Sequence, residues 1–221
     1  MHLFHRVFPL TIFFFLGIAV SIGARSVVPE ALSSRVLPNL ANSAETIDIS
    51  VERSGLRPES SLAIYGDVHG VYAVPRAQFL AVLNDIDRYH EFVPNMAESE
   101  LIRQISATEA IHRTLLRFRL LIFRADFETL SRVTVEELSP RASAVRFVFE
   151  ESLDGRVSHM EGSWYLETVF IGGREHTYVR YRIWTEYANP VVGQAQATQR
   201  FGSRQLRELL DAYGQRVEEG L

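Results

Sequence analysis

The sequence has 221 residues, of which 47% are hydrophobic and 23% charged, as expected for one globular domain with an additional segment. It contains no cysteine and no lysine, which excludes disulfides, cysteine metal sites, thiol nucleophiles and lysine Schiff bases. The net charge of -4 argues against general nucleic-acid binding, so no nucleic-acid partner is expected.

The first 24 residues predict a signal peptide or an N-terminal anchor. Arg6 precedes 18 uncharged residues, Val7 to Ala24, which end in a stretch that contains small residues suited to cleavage. An uncleaved segment of about 18 apolar residues is just long enough to span a bilayer. We therefore expect a protein that is exported, periplasmic or secreted, or that is anchored to the membrane and contacts it through this segment.

Residues 25–60 are predicted to be a linker that contains one short strand. Pro29, Pro38 and Pro58 interrupt this segment, and no apolar period is sustained along it. Between residues 47 and 52, however, aliphatic and polar side chains alternate, which is typical of a strand. The main domain is expected to cover residues 61–218.

The domain begins with a strand and two short helices. The strand is predicted over residues 62–72, and the first helix over residues 75–83, with Pro75 in its first turn. Apolar residues at helical spacing predict a second helix over residues 86–93. Pro94 ends that helix, because the residue before a proline is displaced from the helical conformation.

After Pro94 the sequence predicts a series of strands in place of helices. The alternating segments are residues 97–104, 110–122, 125–136, 144–151, 159–169 and 177–187. Short turn signals such as Gly172 and Gly173 separate them. Strands joined by short turns are antiparallel, since parallel strands need long crossovers.

The alternation also predicts the two faces of the sheet. Val179, Tyr181 and Ile183 fall on an apolar face, whereas the residues between them fall on a largely polar, solvated face. The apolar face needs a cover, and one long helix over residues 191–217 supplies it, with Asn189 as N-cap and Pro190 as the first helical residue. The fold class is therefore α+β, with a long C-terminal helix across a curved antiparallel sheet.

Three segments and the order of the elements resemble the START-like (SRPBCC) superfamily of polyketide cyclases and coenzyme Q-binding proteins. The segments are DIDRYHEFVPNMAES at residues 85–99, GSWYLE at 162–167 and TYVRYRI at 177–183, and the resemblance covers roughly residues 60–217. It implies a helix-grip fold, in which the sheet wraps around the C-terminal helix and leaves a cavity. It also implies binding of lipids, quinones, polyketides or other apolar molecules, or catalysis of cyclisation or dehydration.

We expect a hydrophobic small molecule to be the partner of this cavity, and we predict no catalytic residue, cofactor or metal. The predicted cavity residues are Tyr89, Phe92, Val93, Phe118, Phe127, Phe147, Phe149, Trp164, Tyr181 and Ile183. A carrier needs only such a lining, whereas a cyclase or dehydratase needs polar groups that converge inside it. A third hypothesis, a protein-interaction domain, predicts a packed interior without a cavity of about 300 Å³.

Two polar patterns point to other chemistry. Gly66 to Gly70 read GDVHG, a motif that resembles the first metal motif of calcineurin-like metallophosphatases. Asn84 occupies the place of the bridging aspartate, and the GNH[DE] motif is missing, so this hypothesis is disfavoured. Tyr89, His90 and Glu91 could supply general acid and base groups, but packing of Tyr89 with solvent exposure of the other two is preferred.

Arginines recur along the predicted strands and have two interpretations. They either form a solvated sheet face, which is preferred, or bind an acidic head group at the mouth of the cavity. The residues are Arg113, Arg117, Arg119, Arg132, Arg180 and Arg182.

Overall fold

The computed structural model describes residue 40 and residues 44–52, 62–120 and 123–220. Its strands are β1 (Ala44–Glu52), β2 (Leu62–Tyr72), β3 (Met96–Ser106), β4 (Glu109–Leu120), β5 (Phe123–Ser139), β6 (Ala142–Ser152), β7 (Val157–Ile171) and β8 (Arg174–Tyr187). The helices are α1 (Arg76–Asn84), a 3-10 turn (Ile86–Arg88), α2 (Tyr89–Phe92) and α3 (Gln194–Glu219).

The strands form one eight-stranded sheet in the order β1-β2-β8-β7-β6-β5-β4-β3. Every neighbouring pair is antiparallel, which confirms the prediction from the short turns. At the β7–β8 turn, Gly172 and Gly173 have φ angles of 58° and 77°, a conformation that glycine adopts without steric cost. The chain crosses between the two edges of the sheet only once among the described strands, from β2 to β3.

The two predicted short helices occur in that crossover, directly after Leu62–Tyr72, the first strand of the 61–218 domain. α1 buries Phe79, Val82 and Leu83, the apolar stripe that predicted it. The second helix is divided into the 3-10 turn and the single turn of α2. It ends as predicted, because Val93, which precedes Pro94, has an extended conformation.

The predicted start of the C-terminal helix is wrong. Asn189 is not its N-cap and Pro190 is not its first residue, because α3 begins only at Gln194. Gly193 has a φ of 86°, a left-handed conformation that cannot belong to a right-handed helix. Gln194 fixes the turn before the helix. Its backbone N–H donates to the Val191 carbonyl at 2.9 Å, and its side-chain Oε1 accepts from the Val191 backbone N–H at 3.0 Å.

α3 is continuous through its glycines, which allow it to approach the sheet. A Cβ at Gly202 would overlap Ile49 of β1, and a Cβ at Gly214 would overlap the ring of Tyr72 of β2. The glycines therefore lower helix propensity at the two places where α3 lies closest to β1 and β2.

The main core lies between the apolar face of the sheet, α1 and α3. Val179 and Tyr181 face this core, as the alternation predicted, and Ile183 packs against it. From α3, the buried residues Leu210, Tyr213 and Val217 complete it. Together these contacts confirm the helix-grip architecture.

The opposite face of the sheet is only partly solvated, which corrects the prediction of a wet face. On β2, β7 and β8 it buries a second cluster that includes Leu40, Val71, Tyr165 and Tyr178. Alternation predicted the side on which these residues lie but not that Leu40 covers them, because Leu40 is distant in the chain from Tyr165 and Tyr178. Within the described ranges, no helix has both the length and the apolar character of a membrane span.

Candidate functional site

A cavity of about 330 Å³ lies between the core-facing side of the sheet and α3. Side chains from β2, β4 to β8 and α3 line it, together with residues 93–96, which follow the short helices. α3 approaches the sheet closely at Gly202, which lines the cavity, and at Gly214, which does not.

Most of the predicted cavity residues line this space. They are Tyr89, Val93, Phe118, Phe127, Phe147, Trp164, Tyr181 and Ile183. Their contact with a ligand stays a prediction.

Phe92 and Phe149 do not line the cavity, contrary to the prediction. The Phe92 ring packs edge-on against Tyr213 at a centroid distance of 5.2 Å, with the Arg216 guanidinium over it. Phe149 lies on the predicted face of its strand but packs against the cluster of Ala125, Phe127 and Val157, of which only Phe127 lines the cavity. Periodicity assigns a residue to a face, but it does not give the position of the cavity along that face.

Aromatic rings close one part of the cavity. The ring of Trp164 lies 4.4 Å from that of Tyr181 and 4.7 Å from that of Tyr213, centroid to centroid. Tyr89 contacts Tyr213 edge-on at 5.3 Å, and its hydroxyl donates to the Leu83 carbonyl at 2.5 Å. Burial raises the pKa of Tyr89, Tyr181 and Tyr213, so these phenols stay neutral.

The helix side of the cavity was not among the predicted site residues. α3 contributes Phe201, Leu206, Leu209 and Tyr213 to the lining. Leu206, Leu209 and Tyr213 are spaced three and four residues apart, which is the apolar stripe of a helix with one buried face. That stripe signals a buried face, but it does not distinguish packed residues from cavity residues.

The polar groups in the cavity were also missed. His112 and Thr114 of β4 and Ser131 of β5 line it. The alternation of side chains along a strand could have identified His112 and Ser131. Each lies an even number of residues from a phenylalanine that was predicted to face inward, His112 from Phe118 and Ser131 from Phe127. Burial lowers the pKa of His112 to about 4, against a smaller opposite effect of Asp87, so the imidazole is neutral near pH 7.

The two side chains of the GDVHG segment that could bind a metal, Asp67 and His69, lie outside the cavity, although Gly66 lines it. Asp67 and His69 are buried on the opposite face of β2. Both Asp67 carboxylate oxygens accept hydrogen bonds from Arg180, at 2.9 and 2.7 Å, and Oδ2 also accepts from the Tyr65 hydroxyl at 3.0 Å. The aspartate therefore serves as an ion-pair partner between β2 and β8, and its arrangement does not support the metallophosphatase hypothesis.

Of the three adjacent candidates Tyr89, His90 and Glu91, only Tyr89 lines the cavity. Tyr89 faces inward, whereas His90 and Glu91 are exposed, and Glu91 pairs with Arg88 and Arg216. The pKa of Glu91 is lowered, chiefly by its hydrogen bond from Arg88.

The strand arginines mostly pair with carboxylates on neighbouring strands. Arg113 pairs with Glu98, Glu100 and Glu128; Arg117 with Asp126; Arg132 with Glu109 and Glu150; and Arg180 with Asp67. These ion pairs support the interpretation of a sheet face over that of a head-group site.

Solved structures share this fold. A STAR-related lipid transfer protein from Xanthomonas axonopodis is 15% identical with a TM-score of 0.57, over 77% of this chain and 98% of that chain. Human StAR-related lipid transfer protein 5 is 10% identical with a TM-score of 0.57, over 77% and 86%. The Zhui aromatase/cyclase from Streptomyces sp. R1128 is 16% identical with a TM-score of 0.51, over 71% and 94%.

The chain has the START-like fold. No protein-family model and no curated protein matches the sequence. In this START-like fold, the cavity between sheet and α3 is the candidate functional site.

Proposed function

We propose that this protein binds a hydrophobic small molecule between the sheet and α3 and carries or transfers it. A lipid, a quinone or a polyketide-like compound has suitable chemistry. The observation that carries the proposal is the cavity of about 330 Å³, with Phe118, Phe147 and Trp164 among its lining residues. Sites for small molecules are apolar and usually have about 300 Å³ or more, and burial of apolar ligand surface contributes ~25 cal/mol per Å².

The similarity to two structures named as lipid transfer proteins supports a binding or transfer role, since they share the fold. We further propose, from the N-terminal sequence, that this role is carried out outside the cytoplasm or at a membrane. Residues 1–24, which carry that prediction, lie outside the described residues. Mass mapping of the N-terminus in each cell fraction tests it: cleavage near Ala24 supports export, and an intact membrane-bound chain supports an anchor.

Native mass spectrometry of the purified full chain, followed by organic extraction, tests the binding role. We expect an apolar molecule to be retained. The variant Ala197→Trp, which places a large side chain in the cavity, should lose it. Gln196→Trp is the matched control, because Gln196 is exposed and outside the lining, and it should retain the molecule. A wild-type protein that is empty and binds no member of a lipid and quinone panel would contradict the proposal.

A cyclase- or dehydratase-type enzyme that uses the same cavity is the second candidate. It is favoured by His112 and Ser131, which occupy opposite positions of β4 and β5 and both line the cavity. One structural neighbour is named as an aromatase/cyclase. Incubation with the extracted molecule distinguishes the two functions: a carrier returns it unchanged, whereas an enzyme converts it, and His112→Gln slows the conversion.

A further inference from the structure

Ser131 has a buried hydroxyl that the protein leaves without a partner. Among the described residues, its Oγ is the one buried side-chain oxygen or nitrogen that makes no hydrogen bond. The residue is 7% exposed and lines the cavity. Since a buried hydroxyl without a partner costs free energy, this position calls for a hydrogen-bonding group from outside the chain.

The neighbouring polar groups do not satisfy Ser131. Thr114 and Thr129 hydrogen-bond to each other at 3.2 Å on the same two strands. His112, which is opposite Ser131, is 8% exposed and also lines the cavity. On its other side the register of β5 with β6 shifts between Leu130 and Ser131, an irregularity of the kind that redirects side chains near functional sites.

The position of Ser131 along the cavity limits where a ligand group can meet it. Val133 and Phe127 also line the cavity, two residues away in one direction and four in the other. At the rise of a β-strand these separations are about 7 Å and about 13 Å. Along β5, Ser131 therefore lies between apolar lining residues, so a ligand group that contacts it has hydrocarbon on both sides.

The charge of the lining limits which group it can be. None of the described residues that line the cavity is Asp, Glu or Arg. An ionised carboxylate or phosphate beside Ser131 would lose its hydration without gaining a counterion. A hydroxyl or a ketone carbonyl loses much less and can exchange a hydrogen bond with Oγ.

We propose that Ser131, next to His112, binds an uncharged oxygen in the interior of the ligand, so that the cavity selects hydrocarbon molecules with a secondary hydroxyl or a ketone. This inference rests on the proposed binding function and gives its ligand class. In the complex, the Ser131 hydroxyl donates to a ketone oxygen, or donates to or accepts from a secondary alcohol.

The test compares four probes of similar length with the purified full chain: dodecane, 6-dodecanol, 6-dodecanone and dodecanoate. Their affinities are measured by displacement of Nile red, a neutral apolar dye. We expect the alcohol and the ketone to bind about fivefold or more tightly than dodecane, the effect of one net hydrogen bond. Dodecanoate should bind more weakly than both.

Ser131→Ala should abolish this preference while the affinity for dodecane stays unchanged. The thermal midpoint of the empty variant should be equal or higher, because the unpartnered hydroxyl is removed. Thr198→Val is the matched control, since Thr198 is a hydroxyl residue on the α3 side of the same cavity, and it should keep the preference.

The outcomes separate this inference from the proposed function. Binding of all probes without a preference in the wild type, or a preference that survives in Ser131→Ala, overturns the assignment of Ser131 but leaves a hydrophobic binding site. Tightest binding of dodecanoate overturns the selection of an uncharged group. Failure of Nile red and every probe to bind overturns both the binding function and this inference.

Discussion

His112 links the cavity to the pH dependence of stability. The imidazole is 8% exposed, and it lies in the wall of a cavity whose described lining residues include no Asp, Glu or Arg. Burial lowers its pKa to about 4, while an unfolded histidine has a pKa of about 6.5. Between these values the unfolded chain binds a proton at this position and the folded protein does not, so acidification favours unfolding.

We expect the wild type to lose more stability than His112→Gln between pH 7 and pH 4. Above about pH 6.5 the histidine is neutral in both states and does not lower the free energy of unfolding. As the pH falls toward 4, the unfolded chain binds a proton at this position, and the free energy of unfolding decreases. The difference amounts to about 3 kcal/mol from the change in pKa. Urea unfolding at several pH values measures it in both proteins. Parallel stability curves for the two proteins would show that His112 does not remain neutral in the fold.

A cavity residue could be predicted from the sequence only where a large apolar side chain also fell on the inward face of its strand. Trp164 and Tyr181 are large, apolar and in phase with the inward face, and both line the cavity. Ser131 has the same parity, but a serine in a strand is ordinarily a solvent-facing residue. Its role depends on burial without a partner, which requires the positions of all surrounding strands and of α3.

At the scale of elements, the contact of α3 with the sheet depends on close approach at Gly214. Tyr72 of β2 is 3% exposed, and its hydroxyl donates to Asp211 of α3 at 3.3 Å. A Cβ at Gly214 would overlap the ring of this buried tyrosine. The helix therefore has a residue of low helix propensity where a side chain would separate it from β2.

Gly214→Ala should destabilise the protein although alanine is the better helix former. Overpacking costs about 1–3 kcal/mol, against a gain of about 1 kcal/mol in helix propensity, so we expect a net loss of up to about 2 kcal/mol. Denaturant unfolding measures this free energy. In the background Tyr72→Leu, which removes the ring, the same substitution should be neutral or stabilising. Equal effects in both backgrounds would contradict the steric explanation.

The helices and strands were largely predictable, because the spacing of hydrophobic residues and the turn residues determine local structure. The strand Leu62–Tyr72 has the predicted bounds, and the helical stripe of α3 faces the sheet. The start of α3 was not predictable from Asn189 and Pro190, since a good capping pair competes with the left-handed Gly193 just after it. Likewise, the cover of the outer face depends on Leu40, a contact between residues distant in the chain.

At the scale of the whole molecule, ligand binding and folding should be linked through the cavity. The cavity exists only when the sheet and α3 are assembled, so a ligand that occupies it binds the folded state alone. Such a ligand stabilises the fold by an amount set by its concentration relative to its Kd. The ligand changes the protein surface that is exposed on unfolding only slightly, because the same chain unfolds with or without it.

We therefore expect 6-dodecanone at 100 times its Kd to raise the free energy of unfolding by about 2.7 kcal/mol. The urea midpoint should increase while the slope of the transition stays nearly constant. Ala197→Trp should show no shift, because the tryptophan occupies the cavity, whereas Gln196→Trp should shift like the wild type. A shift of equal size in Ala197→Trp would mean that the probe binds elsewhere on the fold, and the cavity would no longer explain the linkage.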